Sequence, residues 1–143
     1  MTKSKQAPLS KADFEALSEF RHQLRRFLRF SEDAAQAEGL TPQQYQLLLH
    51  LKGYPGREQA TIGELAARLQ TQQHGVVALV TRCEAAGLVT RTPNEQDRRQ
   101  VFVSLTKAGE QALQRLAALH RSELQSLAGV FQVANITAFN DRD

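Results

Sequence analysis

The feature that most constrains this chain is a change of hydrophobic period. From Thr61 to Cys83 the apolar residues recur at helical steps, and from Leu88 to Leu105 they alternate. Thr61 and Glu64 have the spacing of a capping box, and Ile62, Leu65, Ala66 and Leu69 then share one helical face. Only Gln70 and Thr71 separate this pattern from the next. Thr71 is the expected N-cap of a second helix, with Val76, Leu79, Val80 and Cys83 as its apolar stripe and Gly87 as its end. Leu88, Val89, Thr90 and Arg91 then form an expected short strand. Val101, Val103 and Leu105, alternating with Phe102 and Ser104, form another. Residues 92–100 between them are charged and carry Pro93 and Asn94, which suits a hairpin tip.

The flanks are helical. Residues 1–9 are polar, carry Pro8 and are expected to be a loose arm. Ser10 and Asp13 resemble a capping box, and Phe14, Leu17, Phe20, Leu24, Phe27 and Leu28 follow as one stripe until Gly39. Thr41, Pro42 and Gln44 start another helix with Tyr45, Leu48, Leu49 and Leu51 as its apolar positions, stopped by Gly53, Pro55 and Gly56. Thr106 caps a last long helix whose expected buried side is Leu113, Leu116, Ala117, Leu124, Leu127 and Ala128. Gly129 breaks or kinks it, and Val130, Phe131, Val133, Ile136 and Phe139 carry more apolar surface than a free tail should. Two short capped helices, a tight turn and a two-stranded hairpin are the order of a winged helix-turn-helix. The turn lacks the glycine often found there. The expected fold is mainly α with a small β-hairpin wing.

Composition narrows the function. A length of 143 residues favours one domain. The net charge of +3 permits a nucleic-acid partner without demanding one. A single cysteine excludes an internal disulfide framework and a cysteine-based zinc site. No apolar run approaches a membrane span, and the charges at the N-terminus precede no apolar stretch, so the expected compartment is the cytoplasm with no membrane partner. His22, His50, His74 and His120 have no ligand spacing, so no metal and no cofactor is expected. No nucleophile–base pair, phosphate loop or paired carboxylates on an apolar face stand out, which argues against an enzyme.

With one face of the second short helix buried, helical spacing leaves Gln72, Gln73, His74, Val77, Ala78, Thr81 and Arg82 outward. Gln pairs bidentately with adenine, His donates to a base or phosphate, and Thr and Val touch a thymine methyl. Arg98 and Arg99 at the hairpin tip suit phosphates or a narrow minor groove. Plainer readings stand beside sharper ones. Cys83 lies on the apolar stripe, where a buried thiol is favoured over a redox sensor. Arg21, Arg25, Arg26 and Arg29 are a solvated face or an anion site. His22 and His50 line a pocket or are polar surface positions.

The runs LTPQQYQLLLHLKG, TIGELAARL, LVTRCEAAGLVTR and DRRQVFVSLTKAG, over roughly residues 12–128, resemble the MarR family of bacterial transcription regulators. The most specific parts are Asp97, Arg99, Leu105, Thr106 and Gly109, and the run Arg82, Glu84, Gly87, Leu88 and Val89. The resemblance implies a single MarR-like domain over 1–143. Residues 10–38 and 110–139 would be dimerisation helices, and 41–109 the winged helix-turn-helix. It also implies Arg99 in a minor groove with Asp97 holding the wing, and a pocket between the dimer helices and the DNA-binding region. Here the candidate pocket residues are His22, Arg26 and His50. The expected function is a sequence-specific DNA-binding transcription regulator, a homodimeric repressor on a palindromic operator of double-stranded DNA. A small aromatic or phenolic ligand would release it. The alternative is a winged-helix protein-interaction module without specific DNA binding.

Overall fold

The computed structural model describes residues 8–126. The expectations for residues 1–7 and for Leu127, Ala128, Gly129 and residues 130–139 lie outside the described residues. The chain divides into two compact units. One is Glu32–Leu119, and the other joins the residues before Glu32 to those from His120 on.

Helix α1 (Lys11–Ala37) starts at the box expected from Ser10 and Asp13. The Ser10 N–H donates to Asp13 Oδ2 at 2.9 Å and the Asp13 N–H to Ser10 Oγ at 3.3 Å. An aspartate therefore does the work usually given to Glu or Gln. The helix ends where Gly39 takes φ +79° and the Leu40 N–H returns to the Ala35 carbonyl at 2.9 Å, a left-handed cap that glycine adopts without Cβ strain. In the unit containing the first part of α1, Phe14, Leu17 and Leu28 are 55%, 42% and 44% exposed, so part of the stripe is left uncovered among the described residues. Helix α5 (Lys107–Ser126) contributes its end to the same unit. Its buried His120 places a ring nitrogen 2.8 Å from Ser31 Oγ and meets Phe27 and Phe30 edge-on. Leu124, expected to be buried, is exposed, because the described residues of one chain do not cover it.

The unit Glu32–Leu119 holds the main core. Helix α2 (Pro42–Lys52) opens with the full capping box of Thr41 and Gln44, with Pro42 in the first turn. Its buried residues are Tyr45, Leu47, Leu48 and Leu51. Leu49 was expected inside and Leu47 was not, yet Leu47 is fully buried and Leu49 is 40% exposed. In a run of consecutive leucines the period is ambiguous, and packing decides which of them face the core.

Strand β1 (Gln59–Thr61) was not expected. It pairs antiparallel with β3 (Val101–Leu105), which pairs with β2 (Val89–Pro93), giving the order β1-β3-β2. The hairpin is thus the larger part of a three-stranded sheet. Thr61 ends β1 and at once caps α3 (Ile62–Leu69) through the expected box with Glu64. After α3 the backbone turns at Gln70, which takes the left-handed conformation (φ 55°, ψ 47°) where many such turns place glycine. Helix α4 (Gln73–Ala85) follows. Its N-cap is Gln72 rather than the expected Thr71, and Gln72 makes no side-chain cap hydrogen bond. Strand β2 starts one residue later than expected, because the Leu88 N–H still closes the end of α4 on the Cys83 carbonyl at 2.9 Å. Ala60, Val76, Val80, Cys83, Val103 and Leu116 are among the fully buried residues that join α2, α4, the sheet and α5 within this unit. Each fully buried aliphatic side chain contributes about 1.5–3 kcal/mol.

Candidate nucleic-acid interface

Helix α4 has two distinct faces. Val76, Leu79, Val80 and Cys83 are buried against the core. Gln72, Gln73, His74, Val77, Ala78, Thr81 and Arg82 are all exposed, as helical spacing requires. The first backbone N–H groups of a helix have no intrahelical partner, and here no side chain of Gln72 takes one. That end of α4 carries the positive end of the helix dipole. Arg82 also borders a cleft of about 330 Å³ with Gln43, Gln46, Leu69, Thr71, Gly75 and Leu79.

The wing is ordered by its own side chains. The Asn94 N–H donates to the Gln100 carbonyl at 3.2 Å, and the Gln96 N–H to Asn94 Oδ1 at 3.0 Å. Asp97 Oδ1 accepts from the backbone N–H of Arg99 at 3.1 Å and from Arg99 Nε at 3.2 Å. The Arg99 side chain is 91% exposed, so this pair adds little stability. Its effect is geometric, since Asp97 fixes the root of a side chain whose end is open. Arg98 beside it is exposed as well.

Arg91 was not singled out from the sequence. It follows Val89 by two residues, so the strand period puts both on the sheet face that carries buried Val103. From there its guanidinium crosses to α4. Nη1 donates to Glu84 Oε1 at 2.9 Å, and Nη2 donates to Thr81 Oγ1 at 2.9 Å and to the Val77 carbonyl at 3.2 Å. The period-2 placement was the available signal, but the partners lie 7 to 14 residues away in sequence.

A second cluster was also missed. Glu64 accepts from the Tyr54 hydroxyl at 2.8 Å and pairs with Arg57, while Arg57 and Arg68 lie over the Tyr54 ring at 4.5 and 5.3 Å. Burial pushes the Glu64 carboxyl up. The Thr61 backbone N–H, the Tyr54 and Thr61 hydroxyls and the Arg57 charge outweigh this and hold it below the usual carboxylate range.

The remaining candidates are divided between the two units. His22 and Arg26 are exposed on α1, where Arg26 Nη1 donates to Gln23 Oε1 at 3.3 Å. His50 is half-buried on α2, in the other unit, and burial together with the Arg68 charge lowers its pKa. Arg21, Arg25 and Arg29 are exposed, as a solvated face requires. Cys83 is fully buried, and burial pushes its thiol up to about 11. No helix among the described residues is long and apolar enough to cross a membrane.

Comparison with known proteins converges on one family. A family model described as the MarR family matches residues 38–100. The transcriptional activatory protein BadR of Rhodopseudomonas palustris is 32% identical over 105 residues, covering 73% of this chain and 60% of BadR. The chain spans 48–60% of the length of the first curated relatives it matches. Among solved structures, AbsC, a MarR family transcriptional regulator from Streptomyces coelicolor, superposes with a TM-score of 0.75 at 24% identity, covering 94% of this chain and 90% of AbsC. Reduced AbfR bound to DNA gives a TM-score of 0.60 at 25% identity, covering 78% of each chain. The matched segment contains α2, the helix-turn-helix and most of the wing, with the exposed α4 face and the Asp97–Arg99 pair. The chain belongs to the MarR family of transcriptional regulators.

Proposed function

We propose that this protein is a sequence-specific DNA-binding transcription regulator that acts as a homodimer on a palindromic operator. The observation that carries the reading is that one unit presents both an exposed polar face on α4 and an exposed, arginine-tipped wing. A helix of this size fits a major groove about 12 Å wide. Gln72, Gln73, His74, Val77 and Thr81 supply base contacts, and the open N-terminus of α4 approaches a phosphate. Arg82, Arg98 and Arg99 supply the salt-sensitive part of the affinity, with Asp97 as the buttress of Arg99. The DNA complex of the related AbfR supports this assignment.

Repression is the expected sign where the operator overlaps a promoter. BadR is by name an activatory protein, so the same fold serves either sign. A small aromatic or phenolic effector is the finer part of the reading. Such a ligand releases DNA only by favouring the DNA-incompetent dimer.

The test is fluorescence anisotropy against DNA from beside the protein's own gene and a scrambled duplex, across a salt series. Tight, sequence-dependent binding with a steep salt slope is expected. Arg99→Ala should weaken both duplexes alike and reduce the slope by about one per protomer. Gln73→Ala should relax sequence preference by about 1–3 kcal/mol. Weak and equal binding of both duplexes would favour a protein-interaction winged helix instead. Release by aromatic acids, screened in the same assay, tests the effector.

A further inference from the structure

We propose that Arg91 is a positioning residue that decides which base Thr81 accepts. It does so by locking the Thr81 hydroxyl as a hydrogen-bond acceptor. This rests on the DNA-binding reading above and deepens it at one position of the operator.

The argument is a count of protons and lone pairs. A threonine hydroxyl has one proton to donate and two lone pairs. The Thr81 proton goes to the Val77 carbonyl, 2.9 Å away. One lone pair receives Nη2 of Arg91 at 2.9 Å. The same Nη2 donates its other proton to the Val77 carbonyl at 3.2 Å, and Nη1 is held by Glu84 at 2.9 Å. Val77, Thr81 and Glu84 lie four and three residues apart, so the guanidinium grips one stripe of α4 over two turns. Arginine stays protonated at any working pH, so this donor cannot become an acceptor.

Thr81 remains exposed and has a methyl and one lone pair left over. An acceptor of that kind pairs with the N6 amino group of adenine or the N4 amino group of cytosine, and the methyl packs on a thymine methyl. Thymine O4 is also an acceptor, but its methyl gives the Thr81 methyl a contact, whereas guanine offers only O6 and N7, both acceptors, and no methyl on its major-groove edge. Two acceptors face each other there with no proton between them. Guanine is therefore the base that Thr81 excludes, and Arg91 enforces the exclusion without touching DNA.

The test is selection of binding sites from a random duplex library by the purified wild-type protein and by Arg91→Gln, Glu84→Gln, Thr81→Val and the double variant Arg91→Gln/Thr81→Val. The wild type should enrich a motif with one position per half-site where guanine is depleted. Arg91→Gln should relax that depletion by about three- to tenfold and leave the other positions unchanged. Glu84→Gln, which removes only the outer anchor of the guanidinium, should relax the same position less, and it carries the test if Arg91→Gln does not fold. Thr81→Val should abolish the depletion, and adding Arg91→Gln to it should change nothing more. An unaltered motif in a folded Arg91→Gln protein overturns the proposal. So does a uniform weakening at every position, and so does an additive change in the double variant. A wild-type protein that enriches no motif would strike the DNA-binding reading itself.

Discussion

Cys83 illustrates how burial settles chemistry at a single residue. Its neighbours on the apolar stripe put it in the core, and its thiol is pushed up to about 11. The thiolate is the reactive form, so little of it exists at neutral pH. The Arg82 charge pulls in the opposite direction and loses to desolvation. Labelling of the native protein by a thiol reagent at pH 7 should run at least about a hundredfold slower than labelling of the urea-unfolded chain. Comparable rates would mean that the thiol is open and a redox role is back in question. The bland reading of this residue was available from spacing alone, as was the exposed set on α4, because both follow from which residues share a helical face. Arg91 was not available in that way. Its role depends on a strand residue reaching a helix earlier in the chain, and neither element's own period contains that distance. Thr81 was likewise read only as a contact for a thymine methyl, and the commitment of its hydroxyl proton to its own helix was not legible.

At the scale of elements, chain chemistry is most legible where a helix begins. The boxes at Thr41 and Thr61 form as their sequences require, since each needs only residues three apart. Strand β1 left no comparable trace. Its three residues are too few for their alternation to register as a period, and it exists because β3 offers an edge for it to pair with. The run from Leu105 to Gly109 was legible as a family signature, and its physical reason appears only in the packing. Thr106 Oγ1 donates to the Gly87 carbonyl at 2.6 Å and accepts from the Gly109 N–H at 3.0 Å. A Cβ at Gly109 would stand 2.0 Å from the Leu88 carbonyl oxygen. The start of α5 is therefore pressed onto the backbone between α4 and β2, and only a residue without a Cβ allows the approach. Gly109→Ala should destabilise the protein by about 2–4 kcal/mol, since the backbone atoms it meets cannot swing aside. Urea titration measures this. A loss under about 1 kcal/mol, no larger than a lost cap, would show that α5 can retreat freely.

At the scale of the whole molecule, the apolar surface left uncovered among the described residues argues for a partner copy. In the unit that joins the start of α1 to the end of α5, Leu9, Phe14, Leu17, Leu28 and Leu124 are all 42–55% exposed. Exposed apolar residues set singly need no explanation, but several on the two helices of one small unit do. Their stripe was legible in the sequence as a period. What covers it was not, because none of residues 8–126 buries these side chains. A second copy fits, since α1 and α5 would pack as an isologous pair and place two recognition helices on successive turns of DNA, about 34–36 Å apart. The expected result is a dimer in sedimentation at micromolar protein, with a melting temperature that rises with concentration. Phe14→Glu with Leu17→Glu should give a monomer whose melting no longer depends on concentration. Its affinity for a two-half-site operator should fall by at least about a hundredfold, because each protomer must then bind alone. Affinity for an isolated half-site should hardly change, as α4 and the wing lie in the other unit. A wild-type protein that sediments as a monomer and still binds the full operator tightly would overturn the dimer and leave the exposed stripe to a different partner.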